Sequence, residues 1–252
     1  LLDHVSFDVP RGEILAVAGV QGNGQTELAE VILGLQTPDS GVIRLEDADI
    51  TRAKPRESLE AGVGFIPEDR STDGIIASFS IADNLVLDQF RSSSFSAAGS
   101  LKRGAIVRNA RDKEKEYDIR LTSIEDPVSS LSGGNQQKVV VAREMSRDLT
   151  LLVANQPTRG VDVGSIEFIH RRIVDVRDQG CAVLLISSEL DEVVSLADRI
   201  AVMYRGRIVG VVPADTGRDV LGLMMAGVPL DEAVAASSGS AGDAGVPRKE
   251  EQ

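Results

Sequence analysis

The clearest candidates for chemistry are glycines and small polar residues at 19–26. This run, Gly-Val-Gln-Gly-Asn-Gly-Gln-Thr, matches the phosphate-binding pattern G-x-x-x-x-G-K-[ST] except at its lysine. Glycines let backbone N–H groups approach phosphate oxygens at a helix start, where the helix dipole also favours an anion. The candidate nucleotide-binding residues are Gly19, Gly22, Asn23, Gly24, Gln25 and Thr26. A tight turn between a strand and a helix is the alternative interpretation.

Gln25 stands in place of the lysine and weakens the expected hold on a phosphate group. A carboxamide offers neutral donors instead of an ammonium, and losing one charge-assisted hydrogen bond costs on the order of 1.5–3 kcal/mol, roughly ten- to a hundredfold in affinity. Thr26 keeps a hydroxyl that can contact Mg²⁺ weakly. The competing dinucleotide fingerprint fails, because Glu27 stands where its third glycine or alanine belongs.

A second motif, Leu-Ser-Gly-Gly-Asn-Gln-Gln-Lys at 131–138, opens a predicted helix. Ser132 is a good helix N-cap, and Gly133 and Gly134 allow backbone amides to approach an anion. An ordinary capped helix is the alternative interpretation. The motif is nevertheless far more specific than the glycine loop, so it favours a ligand-binding role.

Apolar runs and turn residues predict the elements that hold these motifs. Strands are predicted at 14–18, 42–45, 63–66, 151–154 and 182–186, a terminal hairpin at 199–204 and 207–212, and helices at 26–33, 135–148 and 165–178. Strands that lack polar alternation and are separated by helices indicate a parallel sheet covered on both faces. The predicted organisation is one domain at 1–227, with a helical subdomain inserted at about 78–148 around a loop at 92–100, and a disordered tail at 228–252.

The two motifs, in this order, resemble those of the ATP-binding cassette (ABC) ATPases, and the Asn-Gln-Gln-Lys ending resembles the sugar and nucleoside importers of that superfamily. The resemblance covers about residues 1–227. Three further segments continue it in the expected order. Residues 66–70 are similar to the Q-loop, with Glu68 where many cassettes carry glutamine. Residues 157–162 are similar to the D-loop, and residues 185–190 are similar to the switch region. The resemblance implies an α/β fold of the P-loop NTPase, ABC-cassette type: a mainly parallel core sheet, antiparallel strands and the inserted helical subdomain.

Departures from the family pattern concern catalysis. An active cassette ends the strand at 151–154 in Asp-Glu, the aspartate for the Mg²⁺ shell and the glutamate for the attacking water, whereas this chain has Asn155 and Gln156. Ser188 replaces the switch histidine, and Gln25 replaces the loop lysine. The resemblance therefore implies that this half has lost hydrolysis, and no residue is assigned a catalytic role.

Family cassettes work as head-to-tail pairs, in which each ATP lies between the glycine loop of one and the signature motif of the other. The resemblance thus implies ATP and Mg²⁺ as cofactors and a second cassette as partner. The residues expected to serve the partner's ATP are Ser132, Gly133, Gly134 and Gln136, with Asp162 in the D-loop. An impaired glycine loop beside a complete signature is what the second cassette of a fused subunit could carry, so we expect the C-terminal cassette, and the start without Met fits that expectation. Gly-Asn-Gly-Gln at 22–25 and Gln-Pro-Thr-Arg-Gly at 156–160 resemble the nucleoside branch more than the ribose or galactose branch.

Transport partners follow from the same resemblance. Coupling to integral membrane permease subunits is expected through Glu68, Asp69 and Arg70, for which a solvated charged turn is the alternative. A substrate-binding protein would be an indirect partner, and the chain would lie peripherally at the cytoplasmic face of the membrane. Three readings stay open: a soluble regulatory or mechanical ATPase, a structural module that binds no nucleotide, and an autonomous ATPase with an unrecognised base.

Composition excludes other classes. The 27 Lys and Arg against 39 Asp and Glu give a net charge of −12, which argues against binding nucleic acid through phosphates. No apolar run approaches the roughly 18 residues needed to cross a bilayer. The single cysteine, Cys181, is expected to be a small buried residue at a strand start in a reducing compartment. His4 and His170 are expected to be surface or packing histidines rather than substitutes for the switch histidine.

Overall fold

A computed structural model describes residues 2–240 of the 252-residue chain. The strands are β1 (Ile14–Ala18), β2 (Arg44–Leu45), β3 (Ala48–Asp49), β4 (Val63–Ile66), β5 (Ser96–Ala97), β6 (Ser100–Leu101), β7 (Leu151–Asn155), β8 (Ala182–Ser187), β9 (Arg199–Tyr204) and β10 (Arg207–Pro213). The α-helices are α1 (Gln25–Ile32), α2 (Pro55–Glu60), α3 (Ile81–Asn84), α4 (Arg103–Glu116), α5 (Gly133–Glu144), α6 (Val163–Asp178), α7 (Leu190–Leu196), α8 (Arg218–Met225) and α9 (Leu230–Ser240). A π-helical turn at Arg70–Gly74 and a 3-10 turn at Val128–Ser130 complete the elements.

The main sheet has six strands in the order β10-β9-β1-β8-β7-β4. All neighbours pair in parallel except β10, which runs antiparallel to β9. Every residue of β1, β7 and β8 is buried, because helices cover both faces of the sheet. The predicted α/β architecture, with a mainly parallel sheet and a terminal antiparallel hairpin, is confirmed.

Strand register places the functional motifs at one edge. Ala18 pairs with Ser187, and Ile186 pairs with Asn155, so β1, β7 and β8 end side by side. The glycine loop, Gln156 and Ser188 follow directly on those three strand ends. Ligands of open parallel sheets bind in the crevice at the carboxyl ends of strands, which is where this register gathers the loops.

Several predicted boundaries differ from the structure. The strand predicted at 42–45 is reduced to Arg44–Leu45, because Val42 is 64% exposed. The signature helix begins at Gly133, two residues before the predicted start, since Ser132 caps it. The loop predicted at 92–100 contains the short hairpin of β5 and β6. The predicted limits of the cassette and of its helical subdomain remain predictions.

The prediction of a disordered tail at 228–252 needs correction for its first part. Residues Leu230–Ser240 form α9, whose Ala233 is fully buried and whose Leu230 packs against the main core. The stretch is rich in Ala, Ser and Gly, but its few larger apolar residues lie on a helix that packs against α8. The average composition of the segment does not reveal such a one-sided apolar face. Residues 241–252 lie outside the part of the chain that the structure describes.

A buried cluster of charges joins the helical region to the sheet. Arg147 Nε lies 2.6 Å from Asp88 Oδ2, and Arg147 Nη2 lies 3.1 Å from Glu144 Oε2. Glu144 Oε2 also accepts the backbone N–H of Phe65 in β4, and Arg147 donates to Val63 O. Among the described residues neither Asp88 oxygen has a well-aligned hydrogen-bond partner, and burial, helped by Glu144, raises its pKa from 3.8 to about 6. These contacts fix α5, and hence the signature motif, relative to β4.

The expectation for Cys181 holds in the structure. Cys181 is buried at the start of β8, and burial raises the pKa of its thiol to about 11, so it behaves as a small apolar side chain. Within residues 2–240, no helix combines the length and the apolar character that crossing a membrane requires.

Candidate functional site

The glycine loop connects β1 to α1 and depends on glycine at two positive φ angles. Gly22 has φ +89° and Gly24 has φ +109°, conformations that L side chains rarely adopt. Asn23 attaches the loop to the turn between β9 and β10: its side-chain oxygen accepts the Arg205 N–H at 2.8 Å, and its carbonyl accepts the Gly206 N–H at 2.7 Å. The loop is therefore held in a defined shape at the N-terminus of α1.

The Gln25 side chain turns back into this loop. Gln25 is 8% exposed; its Oε1 accepts the backbone N–H of Asn23 at 3.0 Å, and its Nε2 donates to Val20 O at 3.1 Å. Thr26, the next residue, is exposed and keeps its hydroxyl accessible. Backbone amides at a helix start fit an anionic phosphate group, so the loop fits a nucleotide, but Gln25 faces the backbone rather than the solvent.

A cleft of about 720 Å³ lies beside the loop, at the carboxyl edge of the sheet. Its lining includes Gln21 from the glycine loop together with Glu68, Gln156 and Ser188, three residues predicted separately from the sequence. Gln21 Nε2 donates to Glu68 Oε1 at 2.8 Å, and Glu68 also pairs with Arg159. The structure thus brings the predicted Q-loop and switch positions to one cavity.

Gln156 and Ser188 bond to each other in this cleft. Gln156 Nε2 donates to Ser188 Oγ at 3.1 Å, and the Gln156 backbone N–H donates to Ile186 O at 2.8 Å. Gln156 has φ +49°, an uncommon backbone conformation for a non-glycine residue. Asn155, at the end of β7, is buried. Gln156 therefore presents a neutral carboxamide to the cleft, whereas Asn155 is not among its lining residues.

This donor set fits Mg²⁺ poorly. Protein-bound Mg²⁺ is usually held by one or two carboxylates together with substrate phosphates, and Asn155 and Gln156 supply none. In the described range 2–240, no group of three or more His, Cys, Asp or Glu side chains could hold a metal ion. Only the Thr26 hydroxyl matches the expected metal contact, so we derive no chemical step through Mg²⁺.

His170, expected to be a surface or packing histidine, lines the same cleft. Its Nε2 lies 2.9 Å from Glu192 Oε1, which also accepts the Thr158 hydroxyl at 2.7 Å. Glu192 is buried, so this network is a packing contact between α6 and α7 that forms one wall of the cavity. The sequence analysis did not identify Glu192, although its position four residues after Ser188, in the first turn of α7, could have placed it near the cleft.

The signature motif begins α5. Ser132 caps the helix by accepting the Asn135 N–H at 3.4 Å and is itself exposed. A Cβ at Gly133 would lie 2.5 Å from Arg70 Nη2, and a Cβ at Gly134 would overlap Asp162 and Ser165. Gln136 donates to Leu131 O at 3.0 Å, which ties it to its own loop. Gly134 is the more restrictive position, because the group near Gly133 is the end of the flexible Arg70 side chain, whereas Asp162 and Ser165 are held by the N-cap of α6.

The predicted coupling residues have three different local roles. Asp69 accepts the backbone N–H groups of Ser71 and Thr72, and these hydrogen bonds, the Ser71 one first, lower its pKa. Arg70 donates to the carbonyls of Arg159 at 3.0 Å and Gly160 at 3.3 Å in the D-loop. Glu68 lines the cleft, and within the described structure Asp69 is exposed whereas Glu68 and Arg70 are partly buried.

Asp162 links the D-loop to the signature motif. It caps α6 by accepting the Ser165 N–H at 3.1 Å, and it accepts the Ser165 hydroxyl at 2.8 Å. These hydrogen bonds, the side-chain one first, lower the pKa of Asp162. The Asp162–Ser165 pair packs directly against Gly134, so the D-loop and the signature helix are in direct contact.

Comparison with known proteins identifies relatives for this site. A family model described as ABC transporter matches residues 2–159. The nucleoside import ATP-binding protein NupA of Lactococcus lactis is 47% identical over 229 residues, 90% of this chain and 45% of that protein. The guanosine import ATP-binding protein NupO of Bacillus subtilis is 46% identical, covering 91% of this chain and 45% of the relative. A ribose import ATP-binding protein, RbsA 2 of Rubrobacter xylanophilus, is 44% identical over 82% of this chain and 39% of its own length.

Solved structures agree on the fold. A dimeric bacterial ABC transporter cassette aligns with a TM-score of 0.72 at 19% identity over 86% of this chain and 91% of its own. A nucleotide-free cassette from an ABC transporter gives 0.70 at 22% identity, over 92% of each chain. The chain spans about half the length of the curated relatives it matches. The chain belongs to the ABC transporter family and folds as an ATP-binding cassette.

Proposed function

We propose that this chain is the nucleotide-binding cassette of an importer for nucleosides or simple sugars, and that it binds ATP without hydrolysing it. The observation that carries the proposal is the contrast between two motifs in one fold. The signature helix keeps its cap and both close-packed glycines, whereas Gln156 in the cleft and the buried Asn155 before it stand where hydrolysis would need carboxylates.

The chemistry of the cleft supports a non-hydrolytic role. Gln156 can orient a water molecule through hydrogen bonds, but a carboxamide cannot accept its proton as a general base. Ser188 is engaged by Gln156, and Glu192 is buried against His170 and Thr158. Glu68 is paired with Arg159 and Gln21. Glu68 and Glu192 are thus committed to structural contacts, and Asp191, which also lines the cleft, pairs with Arg218. Glu189 lines the cleft as an exposed residue.

The signature helix supports a role toward a partner's ATP. Ser132 is exposed at the start of a 12-residue helix, where N–H groups without an intrahelical partner attract an anion. We propose that Ser132, Gly133 and Gly134 complete the active site of a second cassette. Because Gln136 bonds to the Leu131 carbonyl, we assign it to holding the motif in shape rather than to ATP.

We propose that the second cassette belongs to the same polypeptide and that this chain is its C-terminal half. The relatives' roughly doubled length supports this arrangement, with the chain covering 45% of NupA and NupO. Permease subunits in the membrane, with a substrate-binding protein acting through them, complete the proposed importer, which places the chain at the cytoplasmic face. The two most similar relatives named here are nucleoside or guanosine importers, which favours nucleosides over sugars.

Uptake by the assembled importer tests the proposed function. Cells that lack their own copy would receive the complete subunit and permeases, and uptake of labelled nucleosides and labelled ribose would be compared. Nucleoside uptake that requires this chain supports the proposal. Ribose uptake alone would contradict the nucleoside assignment, and uptake of neither would favour a cassette that does not serve transport.

Arg70 gives a residue-level prediction for coupling. Arg70→Ala removes two hydrogen bonds to D-loop carbonyls and the contact with Gly133, so we expect transport to fall about tenfold or more. Nucleotide affinity at the glycine loop should stay within about twofold, because Arg70 does not contact that loop in the described structure. Uptake and ATP titration measure the two effects.

The matched control is Arg44→Ala, which removes an exposed arginine from β2. It should leave both transport and binding unchanged. Equal losses of transport and nucleotide binding in Arg70→Ala would contradict the coupling role.

A further inference from the structure

Gln25 does not lie where a residue that holds phosphate is expected to lie. It is the first residue of α1, and its side chain is buried against the loop that precedes it. The carboxamide satisfies one donor and one acceptor of the loop backbone, the Asn23 N–H at 3.0 Å and the Val20 carbonyl at 3.1 Å. Both distances are those of ordinary hydrogen bonds.

The surroundings are shaped to receive this side chain. A Cβ added at Gly19 would lie 2.7 Å from Gln25 Nε2 and 2.6 Å from the Met203 carbonyl oxygen. The Met203 carbonyl belongs to β9 and cannot move without disturbing the sheet. Glycine at position 19 therefore leaves the space that the carboxamide occupies.

Asn23 is held on its other side as well. Its side-chain amide donates to Val20 O at 2.9 Å, and its oxygens accept from Arg205 and Gly206 in the turn after β9. These contacts connect the loop to the turn between β9 and β10. The Asn23 N–H belongs to the phosphate-facing backbone of such a loop, and Gln25 Oε1 already accepts it.

The chemistry of glutamine makes this arrangement specific. A lysine ammonium has donors only, so it can bond to the Val20 carbonyl or to a phosphate but cannot accept the Asn23 N–H. We propose that Gln25 is an internal ligand of the glycine loop, whose carboxamide oxygen holds the Asn23 N–H in place of a phosphate oxygen, so that nucleotide must displace it. This inference rests on the proposed nucleotide binding at the same loop.

An internal ligand and a direct phosphate ligand at position 25 predict opposite changes in ATP affinity when the side chain is truncated. If Gln25 donated to phosphate, truncation would weaken binding; because it competes with phosphate, Gln25→Ala should bind ATP about two- to tenfold more tightly. Gln25→Lys should bind roughly ten- to a hundredfold more tightly than wild type, since it frees the Asn23 N–H and adds a cation. Gln25→Glu should bind more weakly, because a carboxylate accepts the N–H more strongly and repels phosphate.

Two measurements on the purified chain test the proposal. Calorimetric titration with ATP gives the affinities, and hydrogen exchange of the Asn23 amide, followed by NMR without nucleotide, reports its hydrogen bond directly. Exchange should accelerate about two- to tenfold in Gln25→Ala. The matched control is Gln21→Ala in the same loop, whose side chain bonds to Glu68 rather than to loop backbone, and it should leave Asn23 exchange unchanged.

The outcomes separate this inference from the proposed function. Unchanged Asn23 exchange in Gln25→Ala, or weaker ATP binding than wild type, would overturn the internal ligand while leaving nucleotide binding intact. Faster exchange with no ATP binding in any variant would support the internal ligand and overturn the nucleotide-binding function. If Gln25→Ala does not fold, Gln25→Met keeps the side-chain length, replaces the carboxamide oxygen by a weakly accepting thioether and carries the same expectations.

Discussion

Gly134→Ala should abolish most ATP turnover by the assembled pair of cassettes while sparing nucleotide binding by this chain. The added Cβ would overlap the Asp162 carboxylate and the Ser165 hydroxyl, which cannot move aside without losing the N-cap of α6. The signature amides would then be displaced from the partner's phosphate. Loss of one preorganised donor at a developing charge costs about 10²- to 10³-fold in rate, so we expect a fall of that size in phosphate release.

Gly222→Ala is the matched control for this substitution. Gly222 lies within α8, and in the described structure a Cβ there would meet no atom within 4 Å. Alanine in an open helical position should stabilise the fold by about 0.5–1 kcal/mol and leave turnover unchanged. Turnover by Gly134→Ala within about threefold of wild type, with a normal melting temperature, would mean that this signature does not serve a partner's site.

Arg147→Met should reduce the free energy of unfolding by about 3–5 kcal/mol, because it leaves the buried Asp88 carboxylate without its ion-pair partner, whereas Glu144 keeps its pair with Arg143. The side chains of Arg147, Asp88 and Glu144 are 11%, 8% and 7% exposed, so water cannot replace the lost charge. Urea unfolding followed by circular dichroism measures the change. Arg56→Met is the control: its pair with Glu60 is 59% exposed on both sides and should contribute no more than about 0.5 kcal/mol.

The loss in Arg147→Met should depend on pH. The pKa of Asp88 is raised to about 6 in the folded chain, so the folded state binds this proton more tightly than the unfolded chain does. In wild type, the contribution of Asp88 to stability therefore falls as pH rises from about 4 to 6. Removing Arg147 raises that pKa further, so the destabilisation should be small at pH 5 and largest at pH 8.

The double variant Arg147→Met with Asp88→Asn checks the cause. Replacing the carboxylate by a neutral amide should recover part of the lost stability at pH 8 and remove most of the pH dependence. An equal loss in Arg147→Met at pH 5 and pH 8 would instead assign the effect to packing.

The backbone framework was predictable because its signals are local. The uninterrupted apolar runs that became β1, β4 and β8 have one favourable structure, and the predicted starts and ends fall within one residue of the observed ones. The spacing of the glycines likewise predicted the loop before α1. In the structure, Gly22 and Gly24 adopt the positive φ angles that glycine readily allows. These features follow from short-range sterics and hydrophobic burial.

Side-chain contacts across the fold were not predictable in the same way. Gln25 was expected to present donors to phosphate, but its partners are the Asn23 N–H and the Val20 carbonyl. Arg70 was expected to couple to permease subunits, with a solvated charged turn as the alternative, and its guanidinium bonds to the D-loop, 89 residues away in sequence. Such pairings depend on which loops the strand order brings together, and a single sequence does not specify that geometry.

Titration of the purified chain with Mg·ATP by calorimetry, with phosphate release followed in the same samples, tests the central claim most directly. We expect heat of binding without phosphate release above background, and the same result for Gln156→Ala, because a carboxamide cannot act as the base. Phosphate release that Gln156→Ala abolishes would contradict the claim and make this cassette a catalyst. Absence of any binding would equally contradict it and favour a structural module.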